Sequence, residues 1–573
     1  MIPLLYEHGI EYFVTLDCLP LEILEVISSH LSLKEYHLLR LSSGHINLTS
    51  IPRLTFESFQ SSLQYNWISY VFDDPSEKVA LLSDSINDDV LLYLSEKGFT
   101  HEFNRILNSH KFSNEVKQTA FITSLEPKFN PKIIRRLIED GQVNPSVIND
   151  YTLRQACRAG SIDIVKLLLK DSRVDPSMND NNAICIAAFY GYDEIVQELL
   201  NHEKVDPSDM QNSALLVSCH NGYSKVVNIL LTDPRVNPAA HNNLAICGSS
   251  INGHTEVVKL LLKDPRVDPS VNNNLAFAAA TEYGHDEIVT ELLLHHRVDP
   301  TIDNQKAIRI SCQNGHDKVV GILLKDDRID PSVDSNYCIG VAVQNNHPKV
   351  LELLLNHPKV DPTVNNQNAI RMASRKGYYE IVDRLLEDPR IDPTTVNHYS
   401  IRFAALNGHT KVVERLLSDD RINPSANNNY PLHLAAINGH LPTIKLLLSH
   451  PKLILDHQSN FILQCATNNN HIDIVEYLLQ NNSFDPSLHD NYSIRIACEN
   501  GFLELFQLLY LNNHIRNTID INRLIQIANC NQQIQILQFL FNQSHLDLDS
   551  ISNDIYLTLN SNLNFNSSWL KFW

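Results

Sequence analysis

No stretch of the 573-residue chain holds the roughly 20 consecutive apolar residues that a membrane helix needs. The start, MIPLLYEHGIEYF, carries no basic segment ahead of its short apolar run, and Glu7 and His8 break that run. A secretory leader is therefore not expected, and a cytoplasmic protein is. Positive charge is scarce as well: 46 Lys and Arg stand against 66 Asp and Glu, a formal net charge of -20. That balance argues against a nucleic-acid partner, which needs clustered cations for the phosphate backbone. The 10 cysteines show no ligand or redox spacing, and the chain has no Gly-rich phosphate loop and no calcium-loop ligand run. No catalytic residue, metal or cofactor is expected. Hydrophobic residues at 43% and charged residues at 20% describe a folded protein.

What the sequence does contain is a period. Prolines in Val/Ile-Asp/Asn-Pro turns fall at 145, 176, 207, 238, 269, 300, 331, 362, 393, 424 and 486, always 31 residues apart or twice that, with Leu455 filling the one gap. Glycines keep the same spacing through Gly191, Gly222, Gly253, Gly284 and Gly315. Extended outward, the register gives about fifteen units between residues 78 and 542, the terminal ones degenerate as capping repeats are.

Within one unit, Val257, Val258, Leu261 and Leu262 lie on one face of a helix. The preceding NLAFAAATEYG predicts a short helix whose Ala279 and Ala280 allow close approach, ended by Gly284 in a left-handed conformation. Pro265 and Pro269 stop the second helix and stiffen the return path. Asn272 to Asn274 tolerate left-handed turns and are expected to cap the next helix. Each unit reads as helix, tight turn, second helix and polar loop, an all-α solenoid.

The unit YPLHLAAINGHLPTIKLLL, residues 430 to 448, resembles the ankyrin repeat: Pro431-Leu432-His433-Leu434-Ala435-Ala436 match its first-helix signature, and Gly439-His440 match its inter-helix turn. The units are two residues shorter than the usual 33 or so, and most replace the Thr-Pro-Leu-His start, so the long hairpin fingers of that family are not expected here.

Reading down equivalent positions separates framework from variation. Cys157, Cys219, Cys312 and Cys498 share a position with Ala188, Ala405 and Ala436, which marks a small apolar site. His254, His285, His316, His347, His409, His440 and His471 follow the turn residue, where Tyr192, Tyr223 and Tyr378 substitute, so they read as fold residues and not metal ligands. At the start of the first helix one position carries Tyr151, Tyr337, Tyr399, Tyr430 and Tyr492, and the position three residues on carries Arg154, Arg309, Arg371, Arg402 and Arg495. Tyr and Arg are enriched in interface hot spots, so these ten are candidate target-binding residues. The alternative is that the Arg replaces the family's His in local hydrogen bonding.

Ahead of the repeats, LDCLPLEILEVISSHLSLKEYHLLRLSS follows another pattern. Pro20 suits the first turn of a helix, and Ile23, Leu24, Ile27 and Leu31 continue one apolar stripe. With Leu19, Glu22, Leu33, Tyr36, Leu39 and Leu41 the segment resembles the F-box. In that family the module binds a Skp-type adaptor of a cullin-RING ubiquitin ligase, while downstream repeats select the protein to be ubiquitinated. The sequence thus divides into an F-box-like helical module at 1–45, an unassigned connection at 46–77, the ankyrin-like array at 78–542 and a cap or tail at 543–573. Expected partners are a protein target on the concave face of the array and the Skp-type adaptor with its cullin, with no nucleic acid and no membrane. The rival reading is an interaction scaffold without a ligase role, in which residues 16–43 only cap the array.

Overall fold

A computed structural model describes residues 2–3, 13–14, 88–125, 129–147, 149–455, 460–481 and 484–544. The F-box-like residues Leu19 to Leu41 lie outside these. Strands Ile2–Pro3 and Phe13–Val14 form a short antiparallel pair, and every other regular element described is a helix. The chain divides into two compact units, Met1–Ala276 and Phe277–Trp573, the division falling inside the helix Val271–Tyr283.

In the first unit, helix pairs run from Asp88–Lys97 with Thr100–Ser109 to Ala240–Ile251 with Thr255–Leu262. In the second they run from Ile302–Asn314 with Asp317–Leu323 to Ile521–Cys530 with Ile534–Ser544. Within each unit the first helices of successive repeats pack side by side, and so do the second helices. The core follows from the expected apolar face: Val257, Val258 and Leu261 are buried, while Leu262 at its edge stays partly exposed. Ala279 and Ala280 are buried on the first helix. The inter-helix turn is as expected, with Gly284 at φ +81°.

The loop between repeats departs from the expectation. Asn272, Asn273 and Asn274 all stand in the left-handed region, at φ 52°, 54° and 54°. The same triple recurs at 179–181, 210–212, 241–243, 303–305, 334–336, 365–367, 396–398, 427–429 and 489–491. L-residues normally visit this conformation singly, at a cost of about 1–2 kcal/mol, with Asn and Asp the most tolerant non-glycine residues. Here three in succession reverse the chain where a longer repeat would extend a hairpin, and no strand is found between repeats among the described residues.

In several repeats the side chain of the third residue bonds beyond its own helix. The side chain of the third residue serves the following repeat. Oδ1 of Asn181, Asn212 and Asn243 accepts the backbone N–H of Asp206, Asn237 and Asp268 at 2.9, 2.7 and 2.9 Å. Where Gln takes the position, its longer amide donates to a carbonyl instead: Gln305 reaches Arg328 O and Gln367 reaches Arg390 O, both at 3.3 Å. These side chains are buried. A buried backbone N–H or C=O needs a partner, and the third residue supplies it across the repeat boundary.

Candidate binding surface

The constant residues of the repeat are consumed by similar stitches. Arg266 closes a turn on Asp264 through Nε at 3.0 Å and Nη2 at 2.6 Å, while its Nη1 reaches back to Val236 O at 3.0 Å. Arg328 and Arg390 repeat that reach to Val298 O at 3.1 Å and Val360 O at 2.9 Å. The Arg266 guanidinium bonded to Asp264 holds that carboxyl below its usual range. In the Asp-Pro-Ser turn of an earlier repeat, Ser208 donates both its hydroxyl and its N–H to Asp206 Oδ1, at 2.7 and 2.9 Å, which depresses that carboxyl too. Asp-Pro-Arg and Asp-Pro-Ser are therefore turn chemistry.

Histidines are fixed in the same way. His254 Nε2 donates to His220 O at 2.8 Å, His316 to Glu282 O at 2.8 Å and His440 to Leu406 O at 3.0 Å. Each ring lies flat over the turn glycine of the preceding repeat, so that a Cβ on Gly284 would sit 2.5 Å from His316 Nδ1. Tyr192 and Tyr223 cover Gly160 and Gly191 in the same manner, which is why a tyrosine substitutes. Among the described residues no three His, Cys, Asp or Glu side chains gather as metal ligands. Cys157, Cys219, Cys312 and Cys498 are all buried. Burial pushes the Cys219 and Cys498 thiols up to about 12, so they pack as neutral groups.

The candidate Tyr and Arg residues lie on the first helices. The Tyr and Arg positions meet there, mostly across repeat boundaries: Arg309 stacks on Tyr337 at 4.9 Å, Arg371 on Tyr399 at 5.1 Å and Arg402 on Tyr430 at 5.1 Å. Arg154 lies over Tyr151 of its own helix at 5.7 Å. Most of these arginines also hold the left-handed loop: Arg402 Nη1 donates to Asn397 O at 3.1 Å and Arg495 Nε to Asp490 O at 2.7 Å. Arg154 bonds Asn149 O, and Arg309 reaches Asn304 O at 3.4 Å and Asp334 at 3.6 Å. Tyr492 donates its hydroxyl to Asn468 Oδ1 at 3.3 Å. Local hydrogen bonding thus occupies several of the arginines, while one edge of each Tyr–Arg stack faces solvent.

The exposed apolar side chains along this face extend beyond tyrosine. Leu244 is 48% exposed, Leu275 40%, Tyr430 39% and Phe461 50%, and all four occupy the Tyr position of their repeats. Phe189 and Ile251 in the first unit and Ile437 in the second are each exposed at the equivalent position near the end of the first helix. Isolated exposed hydrophobics need no explanation, but Leu244 and Leu275 in the first unit, and Tyr430 and Phe461 in the second, each stand at the same position of adjacent repeats. Among the described residues no helix is long and apolar enough to cross a membrane.

The sequence profile described as ankyrin repeats (3 copies) matches residues 153–242, 244–335, 308–397 and 401–490, more than half of the chain. No curated protein matches the sequence. Ankyrin repeats are protein-interaction modules, and the paired helices, the Gly-His turn and the profile coincide on the same residues. The chain belongs to the ankyrin-repeat family.

Proposed function

We propose that this protein is a non-catalytic recognition subunit that holds a protein target on the outward face of its first helices. The observation that carries the reading is the exposure of Tyr430 and Phe461 on adjacent first helices of the second unit, next to the stacked Arg371–Tyr399 and Arg402–Tyr430 pairs. Rigid amphipathic side chains of this kind provide contact area at low entropic cost. The framework supports the reading as well: its His, Asp and Asn side chains are committed to turns and repeat junctions, so the exposed Tyr position can vary in residue type from repeat to repeat.

The F-box-like segment extends the proposal. Leu19, Pro20, Glu22, Ile23 and Leu24 would dock on a Skp-type adaptor, bringing the target to a cullin-RING ligase, and ubiquitination would follow from proximity without chemistry in this chain. The test is capture from a eukaryotic lysate with the full chain and with its L19A/P20A/I23A variant, read by mass spectrometry. Adaptor and cullin recovered by the first and lost from the second, with other proteins held by both, is the expected result. Capture of neither ligase component by either protein refutes the ligase role and leaves an interaction scaffold.

A further inference from the structure

Charge is unevenly placed on the first helices of the second unit. Val364–Lys376, Thr395–Leu406, Ala426–Ile437 and Phe461–Asn468 contain no Asp or Glu, in a chain whose formal charge is -20. The first two carry Arg371, Arg375, Lys376 and Arg402. The arginines of the second helices and turns in the same repeats are paired: Arg384 faces Glu352 and Glu387, Arg390 faces Asp388, Arg415 faces Asp383 and Arg421 faces Asp419. Among the described residues no carboxylate pairs with the four first-helix cations. Arg371 and Arg375 are four residues apart and share a helix face. Arg371 and Arg402 occupy equivalent positions one repeat apart, and the Nε of each is buried without a hydrogen-bond partner.

Aromatic rings interleave with these cations. Arg371 stacks on Tyr399, Tyr399 on Phe403 at 3.9 Å between centroids, and Arg402 on Tyr430. At the edge of the row stands Val396, 48% exposed and held at φ +51°. Equivalent loop positions carry Asn179, Asn272, Asn365 and Asn427. A β-branched residue is a poor occupant of left-handed backbone, so an apolar side chain is displayed here against the local conformational preference. Arg375 and Lys376 also favour the negative end of their helix, a role that accounts for two of the four cations but not for Arg371 and Arg402, which lie further up the helix.

We propose that this strip binds an extended acidic peptide segment of its protein target, carboxylates on the Arg371, Arg375 and Arg402 guanidiniums and apolar side chains on Tyr399, Phe403 and Val396. The assignment rests on the reading of the first-helix face as the recognition surface and names the chemistry of what it recognises. Guanidiniums already packed on rings and only partly hydrated give charge-assisted bonds to carboxylates with little further ordering. The overall negative charge repels acidic chains elsewhere, so complementarity confines them to the strip.

The test uses the full-length protein, immobilised and equilibrated with a synthetic pool of random peptides long enough to cross three repeats, the bound fraction being sequenced. Enrichment of Asp and Glu over the input, lost at high salt, is expected. The best peptide, resynthesised, should bind R371Q/R402Q about tenfold or more weakly, a difference of about 1.4 kcal/mol. R375Q/K376Q changes only exposed side chains and should also weaken it, which keeps the test decisive if the first variant is unstable. Absence of acidic enrichment, or binding by both variants as tight as by the unmodified chain, overturns the proposal. Displacement of the peptide by a single-stranded oligonucleotide at lower concentration also overturns it, in favour of a phosphate ligand. If the pool shows no acidic preference while protein targets from a lysate are still lost on substitution of Tyr399 and Tyr430, the recognition face stands and only its peptide chemistry fails.

Discussion

Replacing Asn243 by Ala removes two things at once, and the structure allows each to be sized. Asn243 sits at φ +60°, a conformation that costs Ala about 1 kcal/mol more than Asn. Its Oδ1 accepts the Asp268 amide at 2.9 Å from a site only 5% exposed, and loss of a buried acceptor costs about 1–3 kcal/mol. Asn243→Ala should therefore destabilise by about 2–4 kcal/mol. Asn242→Ala, at φ +55° but exposed, should lose only the conformational share of about 1 kcal/mol. Asn243→Gly, free to adopt the backbone, should lose only the hydrogen bond, about 1–3 kcal/mol. Urea unfolding followed by circular dichroism gives the three values. Hydrogen exchange should place the loss in the repeats flanking residues 243 and 268, since repeat stability is the sum of unit and junction contributions. Equal effects of Asn243→Ala and Asn242→Ala would refute the idea that the third loop residue joins repeats.

Gly222→Ala should destabilise strongly, because its Cβ meets the His254 ring at φ +79°, and His254→Ala in the same chain should recover part of the loss; a double-mutant cycle with no coupling would contradict the stacking. Val396→Asn should raise the unfolding midpoint, by about 1 kcal/mol of stability, while weakening any ligand that contacts the strip; an unchanged or lower midpoint would show the loop is not strained there. The depressed carboxyls of Asp264 and Asp206 make stability pH-dependent in a defined direction. Their contribution is complete above the ordinary value of 3.8 and is lost as pH falls through the lowered folded-state values. The carboxylate share of stability should thus hold from neutrality to about pH 4 and fall below it, so that Asp206→Asn flattens the acid limb of the midpoint curve. Identical acid limbs between about pH 4 and 2.5 for the variant and the unmodified chain would contradict the turn assignment.

Much of the fold is written locally and so is legible. The period, the turn glycines and the buried Val257, Val258 and Leu261 follow from spacing alone. The Asn triple shows where the difficulty begins. Its tolerance of left-handed backbone is a property of the residue, but its hydrogen bonds run 25 residues forward, to atoms whose proximity depends on how repeats stack. For the same reason Arg266 reads as a turn residue, although its Nη1 reaches 30 residues back. The Tyr and Arg positions are visible in register, whereas their pairing across repeats, Arg371 with Tyr399, depends on the rise from one unit to the next. Leu244, Leu275 and Phe461 share the Tyr position, yet residue type alone gives them no mark, because an exposed Leu looks like a buried one in sequence. Phe403 became part of the strip only through its stack on Tyr399.

Comparison of two triple variants in target capture tests the recognition face most directly. One replaces Tyr399, Tyr430 and Phe461 by Ser on the first helices, and the other replaces the exposed Lys349, Glu414 and Glu476 by Ser on second helices. With folding verified by circular dichroism, the first should lose the proteins captured by the unmodified chain and the second should keep them. Capture retained by the first variant and lost by the second would place recognition on the opposite face and contradict the account.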